Sequence, residues 1–126
     1  MIKTIAIDNA PAAIGPYSQG KIAGDFIYVA GQLAIDPATG DMVGTDVQAQ
    51  AEQVIKNVAA ILEGGGATLE DVVKTTCFLA DIADFAAFNE VYAKYFVGKP
   101  ARSCFAVKDL PREGICEIEA IAYIGK

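Results

Sequence analysis

A chain of 126 residues is one domain's worth of polypeptide, and 53% hydrophobic residues at a mean hydropathy of +0.34 exceed what a monomer of that size buries. The net charge of −6, with ten scattered basic residues, argues against a nucleic-acid or anionic-membrane partner. No run approaches the ~18–20 apolar residues of a membrane helix, and the lack of any histidine or CxxC removes most zinc and iron sites and any Cys–His nucleophile.

The surplus apolar surface leads us to expect an oligomer. The N-terminal "MIKTIAIDNAPAAIG" lacks the apolar core of a secretory signal. Cys77, Cys104 and Cys116 are odd in number and lie in strand-like segments, which argues for reduced thiols in a cytoplasmic setting.

In chain order, the first third reads as strand and turn. Gly24-Asp25 marks a two-residue hairpin between "GKI" and "FIYVAGQL", and Pro37 and Gly40 mark a second turn. Val47, Ala51, Val54, Ile55, Val58, Ile61 and Leu62 recur at helical spacing, predicting a helix over 45–63. Thr45 and Gln48 have capping-box spacing at its start, and Gly64 suits a left-handed stop. "GGGA" at 64–67 follows a helix and lacks GK[ST], so it reads as that stop rather than a phosphate loop.

Thr68 and Asp71 form a second capping-box spacing before the strand "KTTCFLAD". A second helix is predicted over 82–96, with Phe85, Phe88, Val91, Tyr92, Tyr95 and Phe96 as a core-facing stripe. Two strands, "ARSCFAV" and "CEIEAIAYI", close the chain around the turn "KDLPREGI". The expected fold is α+β: a mixed sheet with two main helices on one face, in a single domain over 1–126. Its other face then needs a cover, again pointing to an oligomer.

Residues two apart share a strand face, so Arg102 pairs with Cys104, and Glu117 with Glu119. Arginine's planar fork fits a carboxylate. Arg102 is therefore a substrate clamp or a structural ion-pair partner of Glu117 or Glu119, and spacing does not choose. Cys104 by itself reads as a packed small hydrophobe. Either glutamate is a candidate base, although alternating glutamates also suit a solvated face, opposite the apolar Cys116, Ile118, Ala120 and Ala122.

The segments "APAAIGPYSQG", "VAGQLAIDPATGD", "QAEQVIKNVAAILE", "VVKTTCFLADIADFAAFNEVY", "PARSCFAV" and "EIEAIA" together resemble the RidA/YjgF family nearly end to end. The resemblance implies a chorismate-mutase-like α+β domain in a homotrimer with clefts between subunits. It implies hydrolysis of 2-imino acids such as 2-iminopropanoate and 2-iminobutanoate to 2-keto acids and ammonia, with no cofactor or metal.

Carried over by position, Arg102 matches the arginine that grips the substrate carboxylate, and Glu117 the glutamate that orients or deprotonates water. Cys104 matches a frequent family cysteine whose backbone helps hold that water. Tyr17, Gly31 and Asn89 match cleft-lining, substrate-binding positions. Ala30, Lys99 and Cys116 depart from the usual serine, aromatic and aliphatic residues. Alternatives are a non-catalytic carboxylate-binding regulatory trimer, a thiol-dependent holdase, and RNA cleavage, which the acidic charge and missing histidine oppose.

Overall fold

The computed structural model describes Met1–Gly125. The elements are β1 (Ile2–Ile5), β2 (Gly20–Ala23), β3 (Phe26–Gln32), α1 (Val47–Gly64), β4 (Val72–Leu79), α2 (Phe85–Tyr95), β5 (Ala101–Ala106) and β6 (Cys116–Tyr123). They form a six-stranded sheet ordered β1-β2-β3-β6-β4-β5, antiparallel throughout except for the parallel β4–β5 edge. The α+β fold with two helices over one sheet face is the expected one. β2 and β3 meet through Gly24-Asp25, with Gly24 at φ +58°, a value that glycine takes without strain.

The core forms between the helices and the inward side chains of the central strands. Ile27 and Val29 of β3, Ile118 and Ala122 of β6, and Cys77 and Leu79 of β4 are all buried, as are Val54, Val58 and Ile61 of α1. Each large aliphatic side chain so removed from water contributes roughly 1.5–3 kcal/mol. Two buried amides on α1 tie the chain beside the core. Asn57 Nδ2 donates to the carbonyls of Leu33 and Ile35 at 3.0 and 2.9 Å, and Gln50 Oε1 accepts from the Ile115 N–H at 2.8 Å. That second bond anchors β6 just ahead of Glu117.

Several local details differ from the sequence expectation. Asp46, not Thr45, caps α1, its Oδ1 accepting from the Ala49 N–H at 2.8 Å. Gln48 reaches across instead to the Ala87 carbonyl and to Glu90 on α2. Gly64 is the last helical residue, and the left-handed position falls at Gly66, φ +86°. The predicted second helix divides into a 3₁₀ turn, Ile82–Asp84, and α2 proper, because Asp81 accepts from the Ala83 N–H and closes a tighter turn first. The Thr68–Asp71 box does form, with the Thr68 N–H donating to Asp71 Oδ2 at 2.9 Å.

Register decides which face each polar side chain takes. Cys77 lies opposite Cys104 on one side and Ile118 on the other. Directly opposed residues share a face, so Cys104 and Arg102 point with Ile118 into the helix layer. Glu117 lies opposite Phe78, and Glu119 opposite Thr76, on the uncovered face. That face also exposes Phe26, Tyr28, Phe105 and Tyr123.

Candidate functional site

Arg102 is half-buried on the edge strand β5, beneath α2. Its Nη1 donates to Asn89 Oδ1 at 2.7 Å. The guanidinium carbon lies 4.7 Å from the ring centre of Tyr92 and 5.6 Å from that of Phe85. Tyr92 is itself fixed, its ring stacked on Phe96 with centroids 4.4 Å apart and its hydroxyl 2.6 Å from Thr75 Oγ1, both groups buried. No carboxylate pairs with Arg102 among the described residues. Its remaining donors are free for a ligand, and a cavity of about 410 Å³ opens beside it.

The helical stripe read as core is therefore mixed. Phe88, Val91, Tyr92 and Phe96 are core, and Tyr92 together with the exposed Phe85 also forms the bed of Arg102. Phe85, Thr75 and Tyr92 were not recognised as site residues from the sequence. A helical aromatic stripe facing an arginine-bearing strand was the available signal.

Cys104 sits two residues along β5 from Arg102, half-buried. Burial raises its thiol pKa more than the Arg102 charge lowers it. Cys77 and Cys116, fully buried, are pushed up to about 12. None of the three is a thiolate nucleophile at neutral pH.

Glu117 is half-buried on the other face, against Gly31 of β3. A Cβ on Gly31 would stand 3.0 Å from the Glu117 carboxyl carbon, so the missing side chain makes the space the carboxylate occupies. A bulge between Val29 and Gln32 brings Gly31 there. Burial raises the Glu117 pKa, and Glu119 adds like-charge repulsion. Glu119 is exposed. Gly31 also lines a cavity of about 280 Å³ with Tyr17, Gln19 and Arg112. Gln19 shapes its wall by bonding the 7–11 segment: its side chain accepts from the Ile7 N–H and donates to the carbonyls of Ile7, Ala10 and Pro11.

The sequence-predicted residues thus fall into two half-sites. Arg102 and Cys104 of β5 stand under α2, with Asn89 on α2 itself; Glu117, Gly31 and Tyr17 stand on or beside the open face. The ion pair weighed for Arg102 with Glu117 or Glu119 is absent, because the sheet lies between them. Among the described residues no group of three or more His, Cys, Asp or Glu side chains is arranged to hold a metal. No helix of the described residues is long and apolar enough to cross a membrane.

The Endoribonuclease L-PSP family matches residues 7–124. A RutC family protein of Pyrococcus horikoshii is 52% identical over 98% of both chains. The 2-iminobutanoate/2-iminopropanoate deaminase of Salmonella typhimurium is 50% identical, covering 97% of this chain and 98% of its own. The crystal structure of RidA from the Antarctic bacterium Psychrobacter superposes with a TM-score of 0.93 at 46% identity, covering 97% of this chain and 99% of its own. With a match this complete in sequence and in fold, the chain belongs to the RidA/YjgF family, the family described as Endoribonuclease L-PSP.

Proposed function

We propose that this protein hydrolyses 2-imino acids, such as 2-iminopropanoate and 2-iminobutanoate, to 2-keto acids and ammonia. The observation that carries the reading is a pre-oriented arginine without a carboxylate partner, in a protein that also holds a half-buried carboxylate against Gly31. The substrate carboxylate docks on the Arg102 fork. An iminium carbon is already electrophilic, so the chemistry asks for little beyond a placed water and a base. Glu117 draws a proton from that water as it adds to the carbon. Glu117 returns that proton to the amino nitrogen of the resulting carbinolamine, the C–N bond breaks with its electron pair leaving on ammonia, and the hydroxyl proton passes to Glu117 as the keto group forms. Fixed placement of clamp and base supplies the rate gain.

Because the half-sites lie on opposite faces, this reading includes a homotrimer in which one subunit's Arg102 meets its neighbour's Glu117, Gly31 and Tyr17. The exposed aromatic side chains of the open face support such a contact. RNA cleavage is less well supported: the net charge is −6, and there is no histidine for general acid–base work. The reading of a non-catalytic carboxylate binder rests on the clamp being complete in one chain, without Glu117.

The deciding assay couples a serine/threonine dehydratase to a semicarbazide trap. Catalytic amounts of the protein are expected to suppress semicarbazone formation. Arg102→Ala removes a charged clamp, costing roughly 2–5 kcal/mol of substrate binding, and is expected to abolish the suppression. Semicarbazone yields unchanged by the wild-type protein, with carboxylate binding retained, would establish the binder instead.

A further inference from the structure

Two of the ten basic residues, Lys99 and Arg102, border the same cavity of about 410 Å³ between the end of α2 and the start of β5. Asn89, Tyr92, Phe96 and Val97 help to line it, and none of the sixteen acidic residues does. In a chain of net charge −6, a cavity with two cations and no carboxylate is a local reversal of the overall field.

Lys99 is exposed and has no ion-pair or side-chain hydrogen-bond partner among the described residues. Its backbone is left-handed at φ +51°, a conformation that costs a residue with a Cβ roughly 1–2 kcal/mol. Its N–H donates to the Phe96 carbonyl at 3.1 Å, closing the turn before Pro100. Glycine or asparagine would hold that turn with less strain. What lysine adds is a positive charge at the cavity lip. Arg102, with Nη1 committed to Asn89 and its face to Tyr92, offers its other donors to one carboxylate. The charge at Lys99 is then left over.

We propose that the cavity selects 2-imino acids carrying a second anionic group, the imines of aspartate and glutamate, with the α-carboxylate on Arg102 and the distal carboxylate at Lys99. The inference rests on the deaminase reading and names its substrate class. The reaction is the same redox-neutral hydrolysis: water adds to the imine carbon, the C–N bond breaks, ammonia leaves, and a 2-keto dicarboxylate remains. Lys99 also offsets the repulsion that a dianion feels from an acidic protein.

The test generates imines in situ from aspartate and from alanine with flavin amino-acid oxidases, then competes hydrolysis against semicarbazide. Wild type is expected to favour the aspartate-derived imine, the preference narrowing with added salt. Lys99→Met should lower kcat/KM for that imine about fivefold, mainly through KM, as expected for a partly exposed ion pair. The alanine-derived imine should change less than twofold, and Lys99→Arg should keep the preference. An equal effect on both imines, or none on the aspartate-derived one, overturns the proposal. Turnover of the alanine-derived imine alone overturns it too, yet leaves the deaminase reading standing. No turnover of either removes both.

Discussion

Glu117 spends folding stability on readiness to accept a proton. Half-buried against Gly31 and beside Glu119, its carboxyl is held above its ordinary pKa, first by burial and then by like charge. Between the ordinary and the raised value, the folded chain keeps a proton that the unfolded chain has released. Stability therefore falls as pH rises through that window. Glu117→Gln keeps the shape and cannot ionise. In an Arg102→Ala background, where no neighbouring subunit's guanidinium offsets the shift, it is expected to melt at a higher temperature than its parent above the window and to converge with it below the ordinary glutamate pKa. In the deaminase assay Glu117→Gln alone should lose most of its rate, because the base must be ionised to act. Wild-type kcat/KM should rise with pH as Glu117 ionises. Thermal melts across pH, set beside the rate profile, check both halves; a variant less stable than its Arg102→Ala parent at neutral pH would contradict the burial argument. Glu119, exposed, should tolerate the same change with little loss of rate.

At the scale of elements, α2 and β4 hold the clamp as a unit, and Tyr92 joins them. Its hydroxyl bonds Thr75 within the core, and its ring face lies under Arg102. These two contacts separate in a pair of variants. Tyr92→Phe leaves Thr75 Oγ1 buried without that partner, a loss of about 1–3 kcal/mol of stability, but keeps the ring. Tyr92→Leu also removes the face, worth roughly 0.5–2 kcal/mol to a neighbouring cation. KM for the imine should stay near wild type in the first and rise several-fold in the second, as steady-state kinetics would show; equal KM values would mean that the ring does not position the arginine. Much of this layer was legible in the sequence. Period two paired Arg102 with Cys104 and Glu117 with Glu119, and period 3.6 placed the aromatic residues of α2 on one side. What spacing could not supply was the register among β5, β4 and β6. Cys77 links Cys104 to Ile118, and that single alignment sends the arginine and the glutamates to opposite faces. A one-residue shift would have put them together, and no single strand's sequence distinguishes the two. Asp46 replaced Thr45 as the cap for a similar reason: both residue types cap well, and the choice depends on where the loop enters.

At the scale of the whole molecule, opposite faces turn a question of chemistry into one of assembly. Within one chain the sheet separates Arg102 from Glu117, so the proposed reaction needs the clamp of one subunit against the base of the next. The exposed Phe26, Tyr28, Phe105 and Tyr123 give the open face the apolar surface that such packing would cover. This arrangement has a consequence that a site within one chain lacks. Arg102→Ala and Glu117→Ala should each be inactive alone, yet unfolding and refolding them together at equal amounts should restore activity. In a randomly mixed trimer, each cleft joins an intact arginine to an intact glutamate when its two contributing subunits are of the required kinds. That happens in about one cleft in four by the closed, head-to-tail symmetry of a ring. Recovery near a quarter of the wild-type rate is therefore the expected result. Each variant refolded alone serves as the control, and sedimentation reports whether the mixed species are trimers. No recovery in properly assembled mixed trimers would mean that clamp and base act from the same chain, which the strand register could accommodate only after β5 turned over.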